Sequence, residues 1–394
     1  MNRHTRSRLM RATALIALST TAVSLAACSS SPGSTGSSSG TAASATPIET
    51  DANGNPALTD DYSKQVADAE GVTVDTSAFK KDAPYNIAAV VQGPTNGWGT
   101  TFDAVMNDAF DKSGKVGDVL YVPWDFATEN QTKGVEDAIA AGVDAILLTS
   151  LSRAGLVSSV ERAKEAGIPV VTCMAGVQTD AYTAEVSRDI PLMGFSTADA
   201  IAKKLGGKGK VVMLHGIAGA DAAEFWKSGA QAAFSQYPDI QIVSEQYANW
   251  SAADAIDVMR TVIAQQPEVD AVWVGGLEMG PSVIQAYQEA GLDVPLMGGT
   301  NPTNGFLRLA IENKLDFEVA PFPPAAAQEC VNTVLDVLDG KSVPKYTDVI
   351  DLMDGTAPYN QADADKWYEP AFNDDFIGPK VADDQVYLDA GFGK

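Results

Sequence analysis

The chain has 394 residues, with 51 acidic against 27 basic side chains for a formal charge of −24 at pH 7, three cysteines and two histidines. Nucleic acid and anionic lipid headgroups both need clustered positive charge, so this balance excludes them as partners. Beyond the first 27 residues a single histidine remains, His215, on which any ordinary metal site or any Ser-His-Asp or Cys-His catalysis would have to rest.

Arg3, Arg6, Arg8 and Arg11 precede an apolar stretch of 16 residues, Ala12 to Ala27, which is short of the ~20 that span a bilayer. The stretch ends Leu25-Ala26-Ala27-Cys28, with small residues flanking the expected cut. Residues 1–27 therefore read as a signal peptide of the bacterial lipoprotein kind, with Cys28 as the acylated first residue of the mature chain. From Ser29 to about Thr46 nearly every residue is Ser, Gly, Thr or Ala, a composition that buries too little apolar surface to fold. Residues 28–59 are thus expected to tether a body spanning 60–394. That body exceeds the ~250–300 residues at which one core stops growing, so two lobes are expected.

From Tyr85 to about Leu338, short apolar runs alternate with helix-length amphipathic segments, the signature of a parallel α/β sheet. The first series predicts strands at 86–91, 119–122, 145–148 and 169–172, with a helix presenting Phe102, Val105, Met106 and Phe110 on one face. The second predicts strands at 210–214, 240–244, 271–275, 295–298 and 317–320. Helical spacing is clear in Ala255, Val258, Met259, Val262 and Ile263, and again in Val283, Ile284, Tyr287 and Ala290. Residues 324–338 predict one more helix, with Ala327, Val331, Val334, Leu335 and Leu338 as its buried stripe. The fold class is α/β: two similar doubly wound lobes, the first covering about 85–187 plus 324–348, the second about 190–321. Residues 349–394, Asp-rich with scattered aromatics, read as an extended strap. Cys173 and Cys330 either pair, as export permits, or stay buried free thiols.

No Gly-x-Ser-x-Gly elbow occurs. Gly340-Lys341-Ser342 ends like a phosphate loop, but the glycine required five residues earlier is Leu335. No cofactor or metal is expected, and His215 reads as a hydrogen-bonded structural residue. A hydrolase would need two carboxylates placed across a cleft, which nothing in the sequence favours.

In doubly wound sheets ligands bind beyond the carboxyl ends of the strands, so the residues that follow each strand carry the chemistry. Here they are Gln92-Gly93-Pro94-Thr95-Asn96-Gly97-Trp98, then Gly216-Ile217-Ala218-Gly219 leading to Trp226, then Asn249-Trp250, Gly276-Leu277-Glu278 and Thr300-Asn301. Indoles stack on the C–H faces of sugars and on aromatic rings, while amides and carboxylates orient hydroxyls. As alternatives, each tryptophan packs under a loop, Asn96 and Asn301 stabilise turns, and Glu278 serves a helix start.

Over roughly 85–345 these residues resemble the ribose-binding-protein-like solute receptors of ABC importers, of the type I periplasmic-binding-protein fold. The resemblance rests on Asn96 and Trp98 in the first turn, on Ala166-Gly167-Ile168-Pro169-Val170-Val171-Thr172, on Gly216-Ile217-Ala218-Gly219 and on Gln266-Pro267-Glu268-Val269-Asp270-Ala271-Val272, followed by Glu278-Met279. It implies three chain crossovers, near Ser187–Ile190, Pro321–Pro324 and Val349–Met353, and hinged closure on a small solute. It also implies delivery to a membrane permease by a non-enzymatic protein, here expected as a monomer held to the membrane by its lipid alone. Implied ligand contacts are Gln92, Asn96, Trp98, Met174, Trp226, Trp250, Glu278, Thr300 and Asn301. The chain departs from the sugar binders where it has Met174-Ala175 for Asp-Arg, Trp226 for Arg, Gly276-Leu277 for Asn-Asp, Thr300 for Asp and Pro321 for Gln. These exchanges suit a less polar solute such as a deoxy sugar, a polyol or an aromatic compound. A sensing lipoprotein using the same cleft is the alternative; intracellular repressors of this fold are excluded by the export signal.

Overall fold

The structure is a computed structural model that describes Pro56 and residues 58–394, except 125, 127 and 354–357. The expected signal peptide, Cys28 and most of the tether lie outside the described residues.

The chain opens with α1 (Asp61–Ala69), capped by the Asp60 carboxylate, and a two-residue strand β1 (Thr73–Val74). A first series follows: β2 (Tyr85–Gln92), α2 (Gly97–Ser113), β3 (Val116–Trp124), α3 (Thr128–Ala141), β4 (Ala145–Leu148), α4 (Val157–Glu165), β5 (Val170–Cys173) and β6 (Ala184–Ser187). The second series is α5 (Ile190–Lys204), β7 (Lys208–His215), α6 (Asp221–Phe234), β8 (Asp239–Tyr247), α7 (Ala252–Gln265), β9 (Ala271–Gly275), α8 (Gly280–Glu289), β10 (Leu296–Thr300), α9 (Asn304–Asn313) and β11 (Phe317–Ala320). Then come α10 (Ala327–Leu338), β12 (Val343–Pro344), which pairs with β1, and β13 (Tyr346–Asp348).

Two parallel sheets result, ordered β13-β6-β5-β4-β2-β3 and β11-β10-β9-β7-β8. β2 and β4 in the first sheet and β9 in the second are buried along their whole length, as expected of strands covered on both faces, except for Asn86 near the start of β2. The first sheet carries two strands beyond the four predicted, β6 and β13. β6 escapes the periodicity because no helix separates it from β5 and because its Ala-Glu-Val-Ser sequence buries a charged residue.

Three crossings join the lobes and bind one another. The Arg188 guanidinium, after β6, donates to the Pro321 carbonyl after β11 at 2.6 Å, and the Val349 amide after β13 donates to the Ser187 carbonyl at 3.0 Å. α10 returns beneath the first sheet, where Cys330 forms a disulfide with Cys173 of β5. That resolves the open choice between pairing and free thiols.

The segment after β13 is more structured than an extended strap. Tyr359 pairs antiparallel with Val319 at the edge of β11, α11 (Ala364–Trp367) and α12 (Asp384–Tyr387) follow, and Phe372, Phe376, Tyr387 and Phe392 pack ring on ring. Asn304, at the start of α9, fastens this segment by donating from its amide to the carbonyls of Glu369, Phe372 and Asn373.

Candidate functional site

In both sheets the strand order reverses beside one strand. β2 lies between β3 and β4, and β7 lies between β8 and β9, so each lobe has a crevice at the carboxyl end of its reversal strand. The two crevices face each other across about 580 Å³ of space, open solvent at its mouth included. The lobes touch around it. The Asp221 amide donates to the Leu151 carbonyl at 3.1 Å, and the Asp221 carboxylate accepts from the Arg153 amide. The buried Arg153 guanidinium lies over the rings of Tyr62 and Phe225, 4.7 and 5.3 Å from their centroids, and pairs with Asp61.

Eight of the nine residues singled out from the sequence border this space: Gln92 at the end of β2, Asn96 capping α2 and Trp98 in its first turn, Met174 after β5, Trp226 in α6, Trp250 before α7, Glu278 before α8 and Asn301 after β10. Thr300 does not. The chain turns at Asn301, whose φ is 60°, so the amide reaches the cavity while the fully buried Thr300 side chain stays inside the sheet.

Six aromatic rings form a continuous chain along the cavity. Trp124 meets Phe126 edge-on at 5.7 Å between centroids, and Phe126 reaches across the lobes to Trp250 at 6.0 Å. Trp250 meets Trp226 at 6.3 Å and 80°, Trp226 meets Phe322 at 5.5 Å and 89°, and Phe322 stacks on Trp98 at 6.0 Å. Trp250 and Trp98 are fixed by their own N–H groups, which donate at 2.8 Å to the carbonyls of Gly275 and Phe322. Trp98 is thus both wall and structural tie, combining two roles that the sequence offered as alternatives.

The polar groups divide into the satisfied and the unsatisfied. Asn96 caps α2 by accepting from the Gly99 backbone amide at 3.0 Å and accepts from the Gln92 side-chain Nε2 at 3.1 Å. By contrast, Trp226 Nε1, Glu278 Oε2 and Asn301 Oδ1 are buried and have no protein partner. Such groups are costly unless something meets them. Burial raises the Glu278 carboxyl from its ordinary range to about 7, although hydrogen bonds from its own backbone and from Asn301 act the other way. No lysine, arginine or histidine is among the described residues lining the cavity.

His215 ends β7 inside the core, packed between the rings of Tyr247 and Trp273. It is structural, but it makes no hydrogen bond; the nearest carboxylate oxygen, of Glu245, is 3.6 Å away. Burial lowers its pKa to about 4, so the ring is neutral.

Sequence reasoning missed Trp124, Phe126 and Phe322. The rule that found the others covers them too, since they end or follow β3 and β11. A further signal is backbone strain: Phe126, Met174, Trp250 and Asn301 all have φ between 52° and 65°, in the left-handed region that side chains disfavour. Four strained residues around one cavity mark a place where side-chain direction outweighs backbone comfort.

Relatives agree with this architecture. The chain is 29% identical over 218 residues to the ribose import binding protein RbsB of Bacillus subtilis (strain 168), covering 55% of this chain and 70% of that protein. It is 30% identical over 196 residues to a xylitol-binding protein of Mycolicibacterium smegmatis, covering 48% and 56%. Among solved structures, an ABC transporter solute-binding protein from Bacillus halodurans with bound myo-inositol superposes with a TM-score of 0.66 at 19% identity, over 73% of this chain and 98% of that one. A Mycobacterium smegmatis protein in complex with β-D-fucofuranose gives 0.65 at 21% identity, over 78% and 97%. A family model described as a periplasmic binding protein domain matches residues 87–342, and the chain belongs to that family of extracytoplasmic solute-binding proteins.

Proposed function

We propose that this chain captures a sugar or polyol in the cleft between its lobes and hands it to the permease of an ABC importer. The observation that carries this reading is the set of three buried, unpartnered polar atoms, Trp226 Nε1, Glu278 Oε2 and Asn301 Oδ1, set in a wall of six aromatic rings where two lobes meet. Rings take the C–H faces of a sugar or polyol, and the three polar atoms take its hydroxyls. Closure, with Asp221 meeting Leu151 and Arg153, shuts out water and holds the solute until the lobes part. Relatives named for ribose and xylitol fit the same chemistry.

The protein acts as a monomer without catalysing a reaction, anchored by acyl chains on Cys28 at the outer face of the membrane. Cys28→Ser is expected to release it to the medium; retention on the membrane would contradict the anchor. Isothermal titration calorimetry against pentoses, hexoses and polyols tests the capture reading, with saturable one-to-one binding expected for at least one class.

Sensing is the second reading, carried by the likeness at TM-score 0.63 and 25% identity to the fructose-binding periplasmic domain of a hybrid two-component system. Deleting the gene separates the two. Loss of solute uptake supports import, and intact uptake with a lost transcriptional response supports sensing.

A further inference from the structure

A hydroxyl can meet the Glu278 oxygen, but it leaves the charge of the carboxylate unmatched. Glu278 is partly buried, its Oε2 is enclosed without a hydrogen-bond partner, and it sits beside the Trp250 indole. A methyl built on Gly276 would lie 2.6 Å from Trp250 Cδ1 and 3.0 Å from Glu278 Oε2, so the carboxylate and the ring flank the same point. An ionised carboxylate in such surroundings is expensive unless a cation meets it. The described residues lining the cavity supply none.

The donor and acceptor balance points the same way. Two unpartnered acceptors, Glu278 Oε2 and Asn301 Oδ1, occur on residues that border the same cavity, against one unpartnered donor, Trp226 Nε1. A hydroxyl carries one proton and satisfies one acceptor, whereas an ammonium carries three and satisfies both. The rings add to this. Trp250 and Trp226 stand at 80° to one another, and it is the electron-rich faces of such rings that make aromatic cages attract cations. The formal charge of −24 favours the approach of cations and disfavours anions, and a phosphorylated or acidic sugar would find no positive partner in the lining.

We propose that the solute is a cationic polyol, an amino sugar or amino-cyclitol whose ammonium is held by Glu278 and Asn301 beside Trp250, with its hydroxyls on Trp226 Nε1 and the Gln92–Asn96 edge. The inference rests on the cleft being a sugar or polyol site, and it adds the charge.

Matched pairs test it in the full-length protein by calorimetry at pH 8: xylitol against 1-amino-1-deoxy-xylitol, and myo-inositol against the aminocyclitol in which an amine replaces one hydroxyl. In at least one pair the amine is expected to bind at least tenfold more tightly, and the isosteric Glu278→Gln is expected to erase that difference. Equal or tighter binding of the neutral member in every responding pair overturns the cation inference and leaves the polyol reading standing. Silence from all four compounds overturns both. An amine preference that survives unchanged in Glu278→Gln also overturns the assignment. Should that variant fail to fold, the wild-type pairs decide alone.

Discussion

The indole of Trp250 lies so close to Gly216 that a methyl on the glycine would sit 2.0 Å from Cε2 and 2.2 Å from Nε1. Gly216 follows β7 and Trp250 follows β8, so the absence of a side chain on the one permits the position of the other. Trp250 itself takes a φ of 52°, and its N–H is held by Gly275. Gly216→Ala must therefore push the indole out of its place. Solute affinity is expected to fall at least tenfold with the melting temperature little changed, measured by calorimetry and by thermal denaturation. Unaltered affinity would show that the ring position does not matter.

Trp98 and Trp250 should respond differently to truncation. Trp250 is only partly buried, whereas Trp98 is 7% exposed and ties α2 to Phe322 through its N–H. Trp250→Ala is expected to weaken binding mainly, while Trp98→Ala should also destabilise the fold by about 3–5 kcal/mol, the usual cost of removing a buried large aromatic ring. Chemical denaturation of both variants separates the two effects.

Asp221 accepts from the Arg153 amide across the lobe contact. When the lobes part, water can satisfy that amide; in the closed form only Asp221 does. Asp221→Ala should penalise closure by about 1–3 kcal/mol, lowering affinity roughly five- to hundredfold. Small-angle scattering should show a smaller compaction on adding solute.

Acidity acts on three buried groups in opposed directions. Glu185 and Glu278 are raised by burial to about 7, so the stability linked to them is present below about 4.5 and is lost as pH rises through 7. His215, lowered by burial to about 4, contributes stability above about 6.5 that is lost as pH falls through 4. Glu185 faces the Tyr62 hydroxyl, Arg153 and Lys345; Glu278 faces its own backbone and Asn301; His215 faces Glu245, Glu224 and Lys227. Glu278→Gln removes one of the two acidic contributions. Without solute, the variant should melt several degrees above wild type at pH 8 and level with it at pH 5. The reverse order would contradict an unpaired carboxylate.

The Cys173–Cys330 disulfide ties the end of β5, at the cavity floor, to α10 across 157 residues of sequence. Reduction, or Cys330→Ser, is expected to cost about 2–5 kcal/mol, read as a lower melting temperature in reductant.

Much of this was legible because period-2 and period-3.6 patterns report burial directly. β4 was found at its observed limits, since Ala145–Leu148 is a four-residue apolar run bounded by turns. The rule that ligands bind beyond strand ends leads to Glu278, Trp226 and Trp250, which border the cavity. Thr300, named by the same rule, lies one residue short of the cavity lining, a distinction set by the left-handed turn at Asn301 that no periodicity records. The aromatic cluster of Phe372, Phe376, Tyr387 and Phe392 was visible as residues but not as a packed unit. Its partners lie far along the chain, and Asn304 holds the segment by side-chain bonds to carbonyls, which have no sequence pattern.

Calorimetric titration of the purified protein with neutral and aminated sugars and polyols, repeated on Trp250→Ala, is the measurement on which cleft capture stands. Saturable one-to-one binding in the micromolar range or tighter, weakened at least tenfold by the substitution, is the expected result. Binding that Trp250→Ala leaves untouched would move the solute out of the cleft, and no binding to any of these compounds would remove the sugar or polyol from the reading altogether.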